Sequence, residues 1–207
     1  MDEDRSGIEA FLDALYLANE TRNLTRVPRE EAMERHIEDS LLHQDLIPQG
    51  AKVLDIGTGP GFPAWPLAYA RPDLRVTALD SNGKMLDFLR SQPLKNLEVV
   101  QRRAEEWGKR ERFDIVTGRA VAPLMIQLEL SAAFAKVGGA VIPMRTGSDL
   151  DSLPETVKVL GLKLEDTVVR TLGESTRVFP IYRKVEFTDS RYPRKWADLK
   201  PNPLDPY

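Results

Sequence analysis

Cysteine is absent from the 207 residues. Disulfides, thiolate metal sites and covalent mechanisms built on a cysteine nucleophile are therefore excluded. Histidine is scarce: His36 and His43 are the only two, and they share one helical face with no third ligand, so no metal site is expected. No apolar run approaches the roughly 20 residues that a bilayer span needs, and the acidic start Met1-Asp2-Glu3-Asp4 is the reverse of a signal peptide's basic first region. The expectation is a cytoplasmic protein with no membrane partner. Positive charge is not in excess either. The balance of 29 Lys and Arg against 32 Asp and Glu, a net charge of -3, argues against indiscriminate nucleic-acid binding and against DNA as a partner. Any nucleic-acid target must be met by a local basic face. Two stretches offer one: Gln101-Arg102-Arg103 through Lys109-Arg110 and Arg112, and the tail from Arg191-Tyr192-Pro193-Arg194-Lys195-Trp196 to Lys200. Each reads equally as a solvated surface.

What is present describes a chain able to fold alone. It is 42% apolar and 29% charged, the balance of a globular protein. Ile8, Phe11, Leu12, Leu15 and Tyr16 predict a helix from about Ser6 to Asn19, and Met33, Ile37, Leu41 and Leu42 predict a second from about Pro28 to Gln44. These form a helical cap over residues 1–48. From Lys52 onward short β-rich runs alternate with helical patterns. The strands are read at Val53–Ile56, Arg75–Asp80, Leu97–Val100, Phe113–Val116 and Gly139–Ile142. Helices follow near Pro66–Ala70, Lys84–Ser91, Pro123–Ala135 and Ser148–Leu160. Such alternation gives a parallel sheet wrapped by helices. Two last runs, Lys163–Arg170 and Arg177–Phe187, join through Gly173 as an antiparallel pair. The predicted fold class is α/β with a seven-stranded, mostly parallel sheet, and residues 1–207 read as a single domain with its cofactor-binding core over 49–207.

The first strand ends in Asp55-Ile56-Gly57-Thr58-Gly59-Pro60-Gly61-Phe62. Glycine tolerates positive φ and has no Cβ, so such a turn lets a nucleotide-like ligand approach the backbone. Alone, the turn is a weak signal. The carboxylate of Asp55, two positions before the first glycine, suits a ligand bearing ammonium and sulfonium charges and would repel a pyrophosphate. Asp80, with Ser81 after it, ends the second strand, where a carboxylate accepts hydrogen bonds from both hydroxyls of a ribose. Ala104-Glu105, after the third strand, stand where a backbone amide and a side chain frame an adenine. Strand-end capping is the plainer explanation of either aspartate taken singly. Together with the loop they favour S-adenosyl-L-methionine as cofactor.

Several segments make the chain similar to a known family, the bacterial small-subunit ribosomal RNA guanine-N7 methyltransferases, or glucose-inhibited division protein B. They are Asn23-Leu24-Thr25, Arg35-His36-Ile37-Glu38-Asp39-Ser40-Leu41, the stretch Val53 to Pro63, Gly118-Arg119-Ala120-Val121-Ala122-Pro123-Leu124, and Tyr192-Pro193-Arg194-Lys195. The resemblance runs nearly end to end. It implies a class I, Rossmann-like methyltransferase fold, with cofactor contacts at Gly57, Phe62, Ala104, Glu105 and Arg119. It also implies RNA contacts at Arg35, His36, Tyr192, Arg194, Lys195 and Lys200. The tail departs from the family pattern, with Ala197, Leu199 and Pro201 where a glycine, a proline and a lysine are usual, so that Lys200 supplies the charge.

The residues also narrow the acceptor atom. Pyrimidine carbon-5 needs activation by a cysteine, which is lacking. Exocyclic amines are usually handled by an Asp/Asn-Pro-Pro-aromatic stretch, whereas this chain has Thr117-Gly118-Arg119-Ala120-Val121-Ala122-Pro123. Guanine N7 carries an in-plane lone pair and no proton, so transfer requires alignment and no general base. Arg119 is assigned to orientation and electrostatics. The partner expected is small-subunit ribosomal RNA in an assembled or partly assembled subunit. The alternatives are a methyltransferase of this fold acting on a small molecule or protein, and a noncatalytic ribosome-binding module.

Overall fold

The computed structural model describes residues 2–204. Helix α1, Asp2–Arg22, buries Phe11, Leu12 and Leu15 along the predicted stripe. It stops where Asn19 Oδ1 accepts the Leu24 and Thr25 amides and Asn23 turns left-handed at a φ of 52°. The expected second helix, Pro28–Gln44, is instead a string of short turns. A 3-10 turn at Arg29–Glu31 leads into a π-helical turn at Met33–Glu38, one α turn at Asp39–Leu41 (α2) and another 3-10 turn at Gln44–Leu46. The π turn widens the helix so that His36 and Asp39 both face inward, and it is a device common at functional sites.

Among the described residues the sheet contains β1 Lys52–Ile56, β2 Arg75–Asp80, β3 Leu97–Gln101, β4 Phe113–Arg119, β5 Ala135–Thr146, β6 Thr156–Val157, β7 Leu162–Leu172 and β8 Ser175–Lys184. Their order is β3-β2-β1-β4-β5-β8-β7-β6. The first five are parallel, and β8, β7 and β6 continue antiparallel. Seven long strands and the expected terminal antiparallel pair are thus present, with two-residue β6 added at the edge. Side chains alternate between faces: Val53, Val76 and Ile115 join the core under α1, α3 (Ala64–Ala70) and α4 (Gly83–Arg90), while Leu54, Leu79 and Val116 join the one under α5 (Leu124–Ala132).

The predicted helix at Ser148–Leu160 is not there. The chain forms a 3-10 turn at Gly147–Ser152, then β6, then a 3-10 turn at Lys158–Leu160. Pro154 explains the break, since a proline disfavours helical backbone in the residue before it, and Leu153 is extended at φ -76°, ψ 119°. The chain crosses from β2 and β3 to β4 and β5 on either side of β1. That reversal opens a crevice beyond the carboxyl ends of β1 and β4, where ligands bind in open α/β sheets.

Candidate active site at the carboxyl ends of β1, β2 and β4

The glycine loop is tied to its neighbours before any ligand is considered. Gly57 N–H and Thr58 N–H both donate to Leu79 O, at 2.8 and 3.2 Å. Gly57 has a φ of 67°, which favours glycine, and a Cβ there would crowd Val121 at 3.1 Å. Asp80 fastens the loop from the other side: Oδ2 accepts Gly59 N–H and Oδ1 accepts Asn82 N–H, each at 2.8 Å. Asp55 lies fully buried beneath the loop, with Oδ2 accepting Ala64 N–H at 3.1 Å. Its Oδ1 and the Thr58 hydroxyl oxygen have no hydrogen-bond partner among the described residues. Burial pushes the Asp55 carboxyl up to about 7, although the Ala64 amide and the Arg119 charge draw it down.

Two cavities flank the turn that follows β4. The first, about 170 Å³, is lined by Gly57, Asp80, Ser81, Ala104 and Glu105, and also by Trp196 from the tail. The second, about 410 Å³, is lined by Arg35, His36, Asp39, Arg119, Arg145 and Arg177, among others. Between them Ala120 holds a left-handed backbone at a φ of 54°, which costs an alanine energy and is typical of functional turns.

Arg119 is held in place from four sides. Its Nη1 donates to Arg35 O and to Asp39 Oδ2, both at 2.9 Å, and its guanidinium lies 5.3 Å from the centre of the Phe62 ring. Nη2 sits 3.5 Å from His36 Nδ1. A guanidinium only donates, so Nδ1 accepts and Nε2–H donates to Thr25 Oγ1 at 2.9 Å. The His36 ring stacks on Phe62 at 4.2 Å. Burial, aided by Arg119 and Arg35, lowers the His36 pKa to about 4 and keeps the ring neutral. Asp39, 2% exposed, also accepts from Arg177 Nε at 2.6 Å. His43 faces elsewhere, against Thr117 and Phe179, and no group of three or more metal-ligating side chains occurs among the described residues.

The basic tail is docked. Arg194 Nε and Nη2 grip both oxygens of the fully buried Glu129 at 2.9 and 2.6 Å, and its amide adds a third bond. Arg110 donates to Tyr192 O and Thr188 O. Lys195 and Lys200 remain exposed.

Residues 4–179 match a family model described as GidB, rRNA small subunit methyltransferase G. The chain belongs to that family. Its members are S-adenosylmethionine-dependent methyltransferases of small-subunit rRNA. The ribosomal RNA small subunit methyltransferase G of Caldanaerobacter subterraneus subsp. tengcongensis is 37% identical over 95% of this chain and 88% of its own. That of Lactobacillus delbrueckii subsp. bulgaricus is 36% identical over 95% and 90%. Two solved structures are similar in fold: a SAM-dependent methyltransferase from Aquifex aeolicus (TM-score 0.55, 17% identity, 73% of this chain and 92% of that one) and a TehB-like SAM-dependent methyltransferase from Corynebacterium glutamicum (0.58, 16%, 83% and 98%).

In this methyltransferase the residues expected from sequence divide into three groups. Gly57, Asp80, Ser81, Ala104 and Glu105 line one cavity, and Arg35, His36 and Arg119 line the other. Asp55, Thr58, Gly59, Gly61 and Phe62 shape or support the loop without lining either. The tail stands apart from these three. Arg194, expected to contact RNA, is paired with Glu129, a buried carboxylate that demands a charged partner. His36, also expected to contact RNA, is only 5% exposed and serves as a wall beneath Arg119. Sequence reasoning missed Trp196 as a cavity wall, Asp39 and Arg177 as the partners that set Arg119, and Glu129 as the tail's anchor. The family stretch from Arg35 to Leu41 contained Asp39, but nothing local distinguishes an inward aspartate from a surface one.

Proposed function

We propose that this chain transfers the methyl group of S-adenosylmethionine to N7 of a guanine in small-subunit rRNA, within an assembled or partly assembled subunit in the cytoplasm. The single observation that carries this reading is the pair of cavities meeting at Arg119 to Ala122, one lined by the expected cofactor residues and the other by arginines. The residues fit the cofactor. The unpartnered Asp55 Oδ1 and Thr58 hydroxyl lack a hydrogen-bond donor that an ammonium supplies, and Asp80 keeps lone pairs for ribose hydroxyls after serving two amides. Ala104, Glu105 and Trp196 would enclose the adenine. When bound, S-adenosylmethionine supplies an electrophilic methyl group on a sulfonium centre.

The chain's own residues then align and shield. Guanine N7 presents its lone pair without losing a proton, so no side chain need act as base. Arg119, fixed by Asp39, His36 and Phe62, lines the larger cavity and orients the purine edge. Positive charge passes to the purine as the methyl arrives, and Asp39 offsets the Arg119 and Arg177 charges that would oppose it. Lys195, Lys200, Arg35 and Tyr192 are the remaining candidates for contact with RNA phosphates and bases.

The test incubates the protein with labelled S-adenosylmethionine and small subunits, free ribosomal RNA or total small metabolites, followed by strand scission at 7-methylguanine. Label in RNA with scission at one guanine is expected. Label without scission would move the acceptor atom away from N7, and no label in any RNA would overturn the reading.

A further inference from the structure

Lys109 and Arg112 play no part in the site above, and they lie at the other end of the sheet. Lys52 pairs in register with Arg75, and Thr77 with Glu98. All four share the sheet face that carries Leu54, Ile56 and Leu79 deeper in. Between β3 and β4 the chain crosses this face as a 3-10 turn at Ala104–Glu106 followed by Trp107, so the amino-terminal end of the face stays open. The opening is a cavity of about 380 Å³, walled by half-buried Trp107 and rimmed by Lys109 and Arg112 as well as by Lys52 and Arg75.

What marks this cavity is the convergence of four cations on one opening. Lys52, Arg75, Lys109 and Arg112 form no ion pair among the described residues. Glu98 is the one acid in the lining and accepts from Thr77. Asp114, near Lys52, is bonded to Lys136 and to the Lys52 amide. Four cations around a concave site with an indole wall match a nucleotide unit, the phosphate on the cations and the base against the aromatic ring.

We propose that this cavity is a second RNA contact, taking the backbone and one base of the rRNA substrate at the edge of the sheet opposite the methyl-transfer site. The inference rests on the reading of the chain as an rRNA methyltransferase. The strands separate the two edges by roughly 15–20 Å, so the nucleotide held here is not the methylated one. Such a contact gives a chain of net charge -3 a local purchase on a polyanion.

The test uses the full chain with Lys52, Arg75, Lys109 and Arg112 all changed to Gln. A control of equal charge changes Arg22, Lys95, Lys158 and Lys163 to Gln; these are exposed positions outside all three of these cavities. Affinity for small subunits and for an rRNA fragment is measured across a salt series. The cavity variant is expected to bind about tenfold more weakly, with the log–log salt slope reduced by about 2, at an unchanged cofactor dissociation constant. Equal losses in both variants, or none in the first, would overturn the proposal. Adenosine monophosphate forms the second arm. Saturable quenching lost in Trp107→Phe, with RNA affinity unchanged in the cavity variant, would give the cavity to a free nucleotide and overturn the RNA assignment. If the unaltered chain binds no RNA, the functional reading fails and this proposal fails with it.

Discussion

Asp80 serves two backbone amides while reaching toward a cavity, and that double duty governs what its substitution does. Asp80→Ala is expected to weaken cofactor binding roughly 10- to 100-fold by calorimetry with the far-ultraviolet circular dichroism unchanged. An unaltered dissociation constant would remove Asp80 from the site. Asp55 carries a pH signature. Its folded-state pKa of about 7 lies above the roughly 4 of an unfolded chain, so its contribution to stability is full below that lower value and is lost as pH rises toward 7. His36 and His43, both lowered to about 4 by burial, act in the opposite sense: their contribution is present above about 6.5 and is lost as pH falls through 4. The difference between wild type and Asp55→Asn isolates the aspartate. Urea titrations at pH 5 and pH 8 should show wild type losing stability relative to the variant at the higher pH. Cofactor affinity should rise over the same interval, with proton release at the lower pH, if an ammonium pairs with Asp55. The loop and both aspartates were legible in the sequence because strand, glycine turn and carboxylate are contiguous or recur at a fixed offset. Trp196 was not, since nothing local says which surface a tail tryptophan covers. Of the three tryptophans, its replacement by Phe should abolish the fluorescence change on cofactor binding, and Trp196→Ala should raise the dissociation constant about tenfold.

At the scale of elements, the docking of the tail on α5 is the least expected arrangement. Glu129 is wholly buried with Arg194 as its charge partner, so Arg194→Ala leaves an uncompensated carboxylate inside the protein. A loss of about 2–3 kcal/mol in urea denaturation is expected, discounted from a fully buried pair because the arginine is partly exposed. The double variant Arg194→Ala/Glu129→Gln should recover part of it. Failure of the second change to recover any stability would show that the tail is held by Leu199 and its apolar neighbours alone. The helices that sequence misjudged were also those where tertiary demands overrode a local pattern. The Pro28–Gln44 segment has a helical stripe, yet it breaks into 3-10, π and α turns so that His36, Asp39 and His43 are all buried. In the Ser148–Leu160 segment the helix gives way at Pro154, which holds Leu153 extended.

The whole molecule is joined at Asp39. One carboxylate of the amino-terminal cap binds Arg119, 80 residues away at the end of β4, and Arg177, 138 residues away on β8. Asp39→Ala is therefore expected to cost about 2–4 kcal/mol and to depress methyl transfer more than cofactor binding, because it frees Arg119 without touching Asp80 or the glycine loop. Equal losses in both activities would show that the cap acts only through global stability. Sequence by itself determined the class of fold, the loop, the order of strands along the chain and the family, since each is written in periodicities and motifs that are local. Only the tertiary structure decided the partners of Arg119, the docking of the tail and the open basic face at the sheet's far edge. Those depend on which side chains meet across tens of residues, and on which of several identical charges burial obliges to pair.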